Sequence, residues 1–212
     1  MGIRIEDVCF SYKKKNYSFS FHNLNLQLKP SEKVCIHGAT GSGKTTLFRL
    51  LFRDITPSSG NIFIDEVPLK KEKSLHNKVT FLFQKPEDQF IFPVINDEIL
   101  CKINNNLKEV ISNNISELCE LFKVKIEDYD SRDIYSISVG ELRLLQLILN
   151  ISQPSEYIIL DEPTTFLDSD HCNRFLSYIK EMKNKGILIL TKYPGIFDSF
   201  VERNISLSTI QS

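Results

Sequence analysis

The glycine-rich segment 38–45 carries the residue types of a phosphate-binding loop. Its residues are Gly38, Ala39, Thr40, Gly41, Ser42, Gly43, Lys44 and Thr45. Glycines let backbone N–H groups turn towards a polyphosphate, and the positive end of a following helix adds to the attraction. In this pattern Lys44 reaches the outer phosphates and the Thr45 hydroxyl ligates magnesium. The alternative, a flexible Gly/Ser turn, does not account for the strand pattern before it and the helical pattern after it.

A pair of carboxylates forms the second candidate for chemistry. Asp161 and Glu162 follow directly on an apolar run. Beside a phosphate loop, Asp161 is expected to hold magnesium through water, and Glu162 to orient and polarise an attacking water molecule. If the loop were absent, a solvated pair at the end of a strand would be the better interpretation.

Four short apolar runs must position these residues. They cover residues 34–37, 79–83, 157–160 and 187–190, and each is followed by a polar or glycine-rich element. Near-continuous apolar runs are typical of strands covered on both faces by helices. In open parallel sheets, ligands bind beyond the carboxyl ends of the strands. The pattern therefore predicts an α/β fold with a mostly parallel sheet, and a site at one edge of that sheet.

The composition narrows the class of protein. A chain of 212 residues with 42% apolar content suits one domain, and 26 basic against 27 acidic side chains indicate no bulk attraction to nucleic acid. The five scattered cysteines are typical of reduced thiols in cytosol. The N-terminus has no signal-peptide pattern, and the most apolar stretch, 142–151, is too short to span a bilayer. We therefore expect membrane contact through a partner.

The middle of the chain has a different character. Helical apolar periods separated by asparagine-rich turns lie between Gln84 and Ser138. We interpret residues 86–153, approximately, as an inserted helical subdomain within a single domain of residues 1–212.

Two further motifs connect the chain with a family. Residues 159–168, Ile-Leu-Asp-Glu-Pro-Thr-Thr-Phe-Leu-Asp, resemble the Walker B segment and D-loop of ATP-binding-cassette (ABC) ATPases. Residues 137–141, Ile-Ser-Val-Gly-Glu, lie about twenty residues earlier and resemble the ABC signature, Leu-Ser-Gly-Gly-Gln in the family pattern. The resemblance covers nearly the whole chain. It implies a P-loop NTPase core with a mostly parallel sheet, an N-terminal antiparallel β portion and an inserted α-helical subdomain.

The resemblance also implies roles for particular residues. Tyr12 corresponds to the aromatic residue that stacks on adenine, Thr46 belongs to the nucleotide-binding loop, and Gln84 corresponds to the Q-loop glutamine that contacts magnesium or water. In the family, the signature end of one subunit faces the ATP held by the opposite subunit. That arrangement implies nucleotide contacts for Ser138, Gly140 and the D-loop residue Asp168, and two ATP molecules sandwiched in a head-to-tail dimer.

Three positions depart from the family pattern. Lys192 stands where the family has a histidine that contacts the γ-phosphate, and a lysine cannot accept a hydrogen bond as an imidazole can. Val139 replaces a signature glycine, and Glu141 replaces the glutamine. We still interpret Lys192 as a catalytic phosphate contact, but expect slow turnover. An unlike second ABC ATPase subunit is favoured over a homodimer, because each site would then contain one altered element instead of two.

Residues 85–90, Lys-Pro-Glu-Asp-Gln-Phe, are similar to a segment of energy-coupling-factor and cobalt-type importer ATPases. Residues 90–94 either line a groove for a transmembrane subunit or pack inside the helical subdomain. The chain ends soon after its last predicted elements, so we expect no C-terminal extension of the kind that many importer ATPases carry.

These features predict an ATPase that uses ATP and Mg²⁺ and drives a membrane transporter, with import as the expected direction. It would lie on the cytoplasmic face of the membrane, bound to a transmembrane subunit, with no nucleic acid partner. The alternative is a slow, nucleotide-gated module that regulates a membrane partner. An ABC protein acting on DNA or ribosomes would be expected to show coiled coils, two cassettes or a basic face.

Overall fold

The computed structural model of the chain describes residues 1–14, 17–103 and 106–210. The chain divides into two compact units. The first contains Met1–Phe81, Glu156–Pro163 and Lys183–Ser212, and the second contains Leu82–Ser155 and Thr164–Met182. The predicted insertion lies within the second unit, which also includes a later segment; the assignment of one domain stays a prediction.

The strands, in chain order, are β1 (Ile3–Lys14), β2 (Tyr17–Leu28), β3 (Lys33–His37), β4 (Ser59–Ile64), β5 (Val67–Pro68), β6 (Val79–Leu82), β7 (Tyr157–Asp161), β8 (Gly186–Thr191) and β9 (Arg203–Ser206). The α-helices are α1 (Lys44–Phe52), α2 (Leu75–Lys78), α3 (Ile95–Ile103), α4 (Lys108–Phe122), α5 (Val139–Ile151) and α6 (Ser169–Glu181). None of the described helices is both long enough and apolar enough to cross a membrane.

An antiparallel sheet with the order β2-β1-β4-β5 forms the N-terminal part of the first unit. Buried and more exposed residues alternate along its long strands, because one face of the sheet packs on the core and the other faces solvent. On β1, for example, Ile3 and Ile5 are buried, whereas Arg4 and Glu6 between and beside them are partly exposed.

The second sheet has the order β6-β7-β8-β3-β9 and includes all four strands predicted from apolar runs. β8 pairs in parallel with both β3 and β7, and every residue of β7 and β8 is buried. β9, which pairs in parallel with β3 at the edge, was not predicted. Its sequence, Arg-Asn-Ile-Ser, has one apolar residue and no strand pattern, so tertiary pairing forms it.

Helices α3 to α6 make up most of the second unit. On α4 the buried residues Ile111, Ile115, Leu118 and Phe122 recur at spacings of three and four, which places one apolar face inwards. A separate cluster is formed by Ile95, Ile134, Ile137, Leu142 and Leu145. The predicted fold class, an α/β core with an antiparallel β portion and an α-helical part, is confirmed.

Candidate nucleotide-binding site

The glycine-rich loop connects the carboxyl end of β3 to the amino end of α1. Gly43 has φ of +105°, and a Cβ added there would lie 2.2 Å from the ring of Phe19. At Gly38 an added Cβ would lie 2.5 Å from the Ser42 hydroxyl. A side chain at either position would therefore displace the neighbouring side chain, which explains why both residues are glycines.

The ammonium group of Lys44 lies inside this loop. Its Nζ donates to the carbonyl oxygens of Gly38, at 2.7 Å, and Ala39, at 3.2 Å. It is also 3.9 Å from Oε1 of Glu162, and both side chains are buried. The loop therefore holds a buried positive charge that carbonyl oxygens and a carboxylate now share, and that a phosphate group can attract.

Thr45 and Asp161 meet where α1 begins and β7 ends. The Thr45 hydroxyl donates to Oδ2 of Asp161 at 3.3 Å, and Asp161 is 2% exposed. A carboxylate and a hydroxyl are hard oxygen ligands of the kind that Mg²⁺ prefers. Among the described residues, no cluster of three or more His, Cys, Asp and Glu side chains could hold a metal. Mg²⁺ at this pair would therefore take its other ligands from phosphate and water, as Mg²⁺ commonly does.

The loop also fits a polyphosphate. The buried Ser42 hydroxyl has no hydrogen-bond partner within the described part of the chain, and a buried hydroxyl without a partner is costly. The first backbone N–H groups of α1 start in the same loop, where the helix dipole favours an anion. A phosphate oxygen satisfies both features.

Glu162 is held in a fixed orientation by the neighbouring strand. The Thr191 hydroxyl donates to its Oε2 at 3.1 Å, and the backbone N–H of Lys192 donates to its Oε1 at 3.0 Å. Glu162 is buried and has φ of +47°, an uncommon left-handed conformation for a residue other than glycine. Backbone strain of this kind is concentrated at functional sites. The result is a buried carboxylate aimed by two donors.

Lys192 therefore contacts Glu162 through its backbone N–H. The side chain is exposed, and its ammonium lies 5.0 Å from the centre of the Tyr193 ring. The Tyr193 N–H in turn donates to the Thr191 hydroxyl at 3.0 Å. Sequence reasoning considered only the lysine side chain, because a backbone contact has no signature in residue type.

Tyr12, the predicted adenine-stacking residue, lies on β1 in the first unit and is half-buried. It pairs in register with Phe19 of β2, whose ring packs against Gly43 of the loop. Because directly paired residues project to the same face of a sheet, the Tyr12 ring lies on the face that borders the phosphate loop.

The predicted signature begins helix α5 in the second unit. Ser138 is the N-cap, and Ser138 and Glu141 form a reciprocal capping box. The Ser138 hydroxyl donates to Oε2 of Glu141, and the Tyr129 hydroxyl donates to Oε1 at 3.0 Å. These contacts, led by the Ser138 hydroxyl, lower the pKa of Glu141. Sequence analysis missed this cap, although the Ser-x-x-Glu spacing is its usual signal.

The D-loop residues are adjacent to the signature within the same unit. A Cβ added to Gly140 would lie 3.3 Å from the carbonyl oxygen of Phe166, so the two backbones approach closely. Asp168 caps α6 by accepting the His171 N–H at 2.9 Å, and its other oxygen lies 2.8 Å from Nδ1 of His171. Val139 is 47% exposed at the start of α5.

Gln84 is exposed just after β6, and a buried polar network holds the residue before it. Arg143 and Gln146 of α5 donate to the Phe83 carbonyl oxygen, at 2.6 and 3.1 Å. The Phe83 N–H donates to Oε1 of Gln89 at 3.0 Å, and the Gln89 amide donates to Asn150 at 2.8 Å. This network, which sequence analysis missed, joins the start of the Q-loop to the signature helix.

The strip 90–94 contains one side chain that packs inside the second unit and one that is exposed. Phe90 is half-buried and packs on the cluster around Ile95, whereas Ile91 is 75% exposed. The backbone N–H groups of Ile91 and Phe92 both donate to the buried carboxylate of Glu98, at 2.9 and 3.3 Å. The backbone of the strip is thus fixed while one large apolar side chain faces outwards.

Comparison with known proteins agrees with this geometry. A family model described as ABC transporter matches residues 21–165. An energy-coupling factor transporter ATP-binding protein of Fusobacterium nucleatum is 31% identical over 197 residues, which cover 89% of this chain and 71% of that protein. A protein of the same description from Methanothermobacter thermautotrophicus is 27% identical, with 98% of this chain and 68% of the relative covered.

Solved structures show the same fold. A protein named as a cobalt transport ATP-binding protein superimposes with a TM-score of 0.79 at 27% identity, covering 97% of this chain and 76% of that one. An ATP-binding cassette solved as a dimer with ADP and phosphate gives a TM-score of 0.80 at 21% identity, covering 96% and 93%.

The fold and the matched motifs define an ATP-binding cassette. The chain belongs to the ABC transporter family, as an ATP-binding subunit. The predicted family and the predicted class of enzyme, an ABC-type ATPase, are confirmed at this level.

Proposed function

We propose that this chain hydrolyses Mg²⁺-ATP as a subunit of an ABC importer and couples closure of an ATPase dimer to transport. The single observation that carries the proposal is the group formed around one loop by the buried residues Lys44, Asp161 and Glu162 and by the exposed Thr45. A cation, a metal-ligand pair and an oriented carboxylate are the parts that phosphoryl transfer to water requires.

Each residue has a distinct task in this mechanism. Lys44 would exchange its carbonyl contacts for the outer phosphates, and Thr45 with Asp161 would hold Mg²⁺. Mg²⁺ held by this pair would supply positive charge beside the phosphate oxygens. Glu162, fixed by Thr191 and the Lys192 N–H, accepts a hydrogen bond from the attacking water and orients it. Gln84, in the Q-loop, would contact the magnesium or this water.

The remaining nucleotide contacts come from the loop residues 38–46 and from Tyr12. Ser138, Gly140 and Asp168 contact the nucleotide held by a second subunit in a head-to-tail dimer. The names of the relatives support a membrane partner, because they are called transporter ATP-binding proteins. We therefore propose a cytoplasmic subunit that binds a transmembrane transporter protein, with import as the direction.

Turnover is proposed to depend on an unlike ATPase partner. Lys192 provides a point charge but no acceptor at the position of the family histidine. Val139 adds a branched side chain to the signature, and the Ser138 hydroxyl already donates to Glu141. Pairing with a different ATPase subunit would leave one altered element per site, whereas a homodimer would have both in each site.

An ATPase assay of the purified chain tests this proposal, with Glu162→Gln as the inactive control. We expect saturable Mg²⁺-ATP binding, slow hydrolysis by the chain alone, and none above background for the control. Brisk, cooperative hydrolysis without a partner would contradict the dependence on an unlike subunit. Failure to bind ATP would contradict the function itself.

A second candidate is a nucleotide-gated module that regulates a membrane partner with little turnover. Lys192 and Val139 favour it, since both alter the parts of the family site that act on the γ-phosphate. The two candidates are separated by kcat in the presence of the native partner subunits, obtained by detergent co-purification from the host. Sustained hydrolysis there supports the transporter, and continued absence of turnover supports the module.

A further inference from the structure

The Tyr12 side chain contacts two other side chains, one through its hydroxyl and one through its ring. Arg49 of α1 donates from Nη1 to the Tyr12 hydroxyl at 3.0 Å. Phe10 packs against the ring in a T-shaped arrangement, with centroids 4.7 Å apart and ring planes at 85°. The ring is half-buried, so part of it stays available to a ligand.

Arg49 is itself held in place. Its Nε donates to the carboxylate of Asp54, which lies just beyond the end of α1. The Asp54 N–H donates back to the Arg49 carbonyl oxygen at 2.9 Å. Arg49 and Asp54 are therefore connected both through their side chains and through their backbones. The guanidinium is planar, permanently charged and rich in donors, and it can therefore serve a carboxylate and a phenol oxygen together.

This arrangement connects the ring to the phosphate loop. Arg49 lies on the helix that begins with Lys44, five residues further along the chain. On the strand side, Tyr12 pairs with Phe19, whose ring packs on Gly43. The Tyr12 ring is therefore connected to the phosphate loop in two ways. Its hydroxyl contacts helix α1, which follows the loop, and its strand pairs with Phe19, which packs on the loop.

We propose that Arg49 is the positioning residue of the base-stacking ring. It fixes the plane of Tyr12 before nucleotide binds, so that the base meets a preformed face and less side-chain freedom is lost on binding. The proposal rests on the proposed function, in which Tyr12 stacks on the base. It assigns Arg49 to the nucleoside half of the ligand and not to the phosphates.

The test compares ATP with inorganic tripolyphosphate, which lacks the base. Dissociation constants are measured by titration calorimetry for wild type, Arg49→Met, Tyr12→Phe, Tyr12→Ala and the double variant Arg49→Met/Tyr12→Phe. A net hydrogen-bond contribution corresponds to a change in Kd of about 2- to 10-fold. We expect Arg49→Met to weaken ATP binding by about that factor and to leave tripolyphosphate binding little changed.

The double variant separates positioning from other roles of Arg49. Since Tyr12→Phe keeps the ring and removes only the hydroxyl, Arg49→Met should have no further effect on ATP binding in that background. A structural or electrostatic role of Arg49 would persist there. If Arg49→Met does not fold, Asp54→Asn, which loosens the guanidinium, takes its place with the same expected pattern.

Three results would overturn the proposal. Equal weakening of ATP and tripolyphosphate would make Arg49 a phosphate contact, and an undiminished effect in the Tyr12→Phe background would make it structural. Unchanged ATP binding in Arg49→Met would remove its role altogether. Tyr12→Ala distinguishes this from failure of the proposed function: loss of a stacked base weakens ATP binding by about 5- to 150-fold, whereas an unchanged Kd would overturn both.

Discussion

The Thr191 hydroxyl offers a direct test of how Glu162 is aimed. Thr191 is fully buried, and its hydroxyl donates to Oε2 of Glu162 at 3.1 Å. Thr191→Val has nearly the same shape and removes this donor to Glu162, together with the acceptor of the Tyr193 N–H. The second donor, the Lys192 backbone N–H at 3.0 Å, is retained. The carboxylate therefore loses the hydrogen bond from Thr191 without losing its charge.

The expected size follows from that contact. A hydrogen bond to a charged group contributes about 1.5–3 kcal/mol, equivalent to a factor of about 10 to 150 in rate if it acts wholly on the transition state. Because one donor remains, we expect kcat to fall by about 10- to 30-fold. The Kd for ATP should hardly change, since neither Lys44 nor the phosphate loop is altered.

Single-turnover hydrolysis with the chain in excess over ATP measures the chemical step separately from product release. Thr191→Ser keeps the hydroxyl and serves as the matched control, with a rate within about 3-fold of wild type. If Thr191→Val hydrolyses ATP at the wild-type rate while Glu162→Gln is inactive, the orientation of Glu162 by the neighbouring strand has no catalytic importance.

Three further substitutions test separate parts of the site. Lys192→His should raise kcat with little change in ATP affinity, because it restores an imidazole and keeps the backbone N–H; weaker binding in a nucleotide titration would instead identify the lysine as the main γ-phosphate ligand. Gln146→Met removes a donor to the Phe83 carbonyl oxygen and a buried acceptor, and should lower the free energy of unfolding by about 2–4 kcal/mol in urea titrations; a loss below about 0.5 kcal/mol would show the network to be energetically unimportant. Gly43→Ala would place a Cβ 2.2 Å from the Phe19 ring at a φ of +105°, and should weaken ATP binding at least about 10-fold; unchanged calorimetric affinity would mean that the loop tolerates a side chain.

The parallel sheet was predictable because its strands are buried on both faces. Short, continuous apolar runs such as 157–160 and 187–190 are typical of strands that are covered on both faces. β9 was not predictable in the same way. Its Arg-Asn-Ile-Ser sequence becomes a strand only because the edge of β3 offers unpaired backbone groups.

The polar residues of helix α5 show a signal that could have been used. Arg143, Gln146 and Asn150 interrupt the apolar run 142–151, which the sequence analysis considered only as a possible membrane span. Their spacing of three and four residues puts them on one helix face. A buried face with three polar residues predicts a hydrogen-bonded network, although the partner, the backbone of Phe83, could not be named from the pattern.

By itself, the sequence determined the chemistry of the phosphate loop and the family of the chain. The phosphate loop with the start of α1 is one short segment of the chain, and the Asp161–Glu162 pair is another. The function of each depends on residue types and on spacings along the chain. The contacts of Glu162 were decided only by the tertiary structure. Its donors lie 29 and 30 residues away, on and just after β8, and one of them is a backbone N–H that every residue except proline has. Such a contact depends on the register in which β7 and β8 pair, where Asp161 lies opposite Leu190.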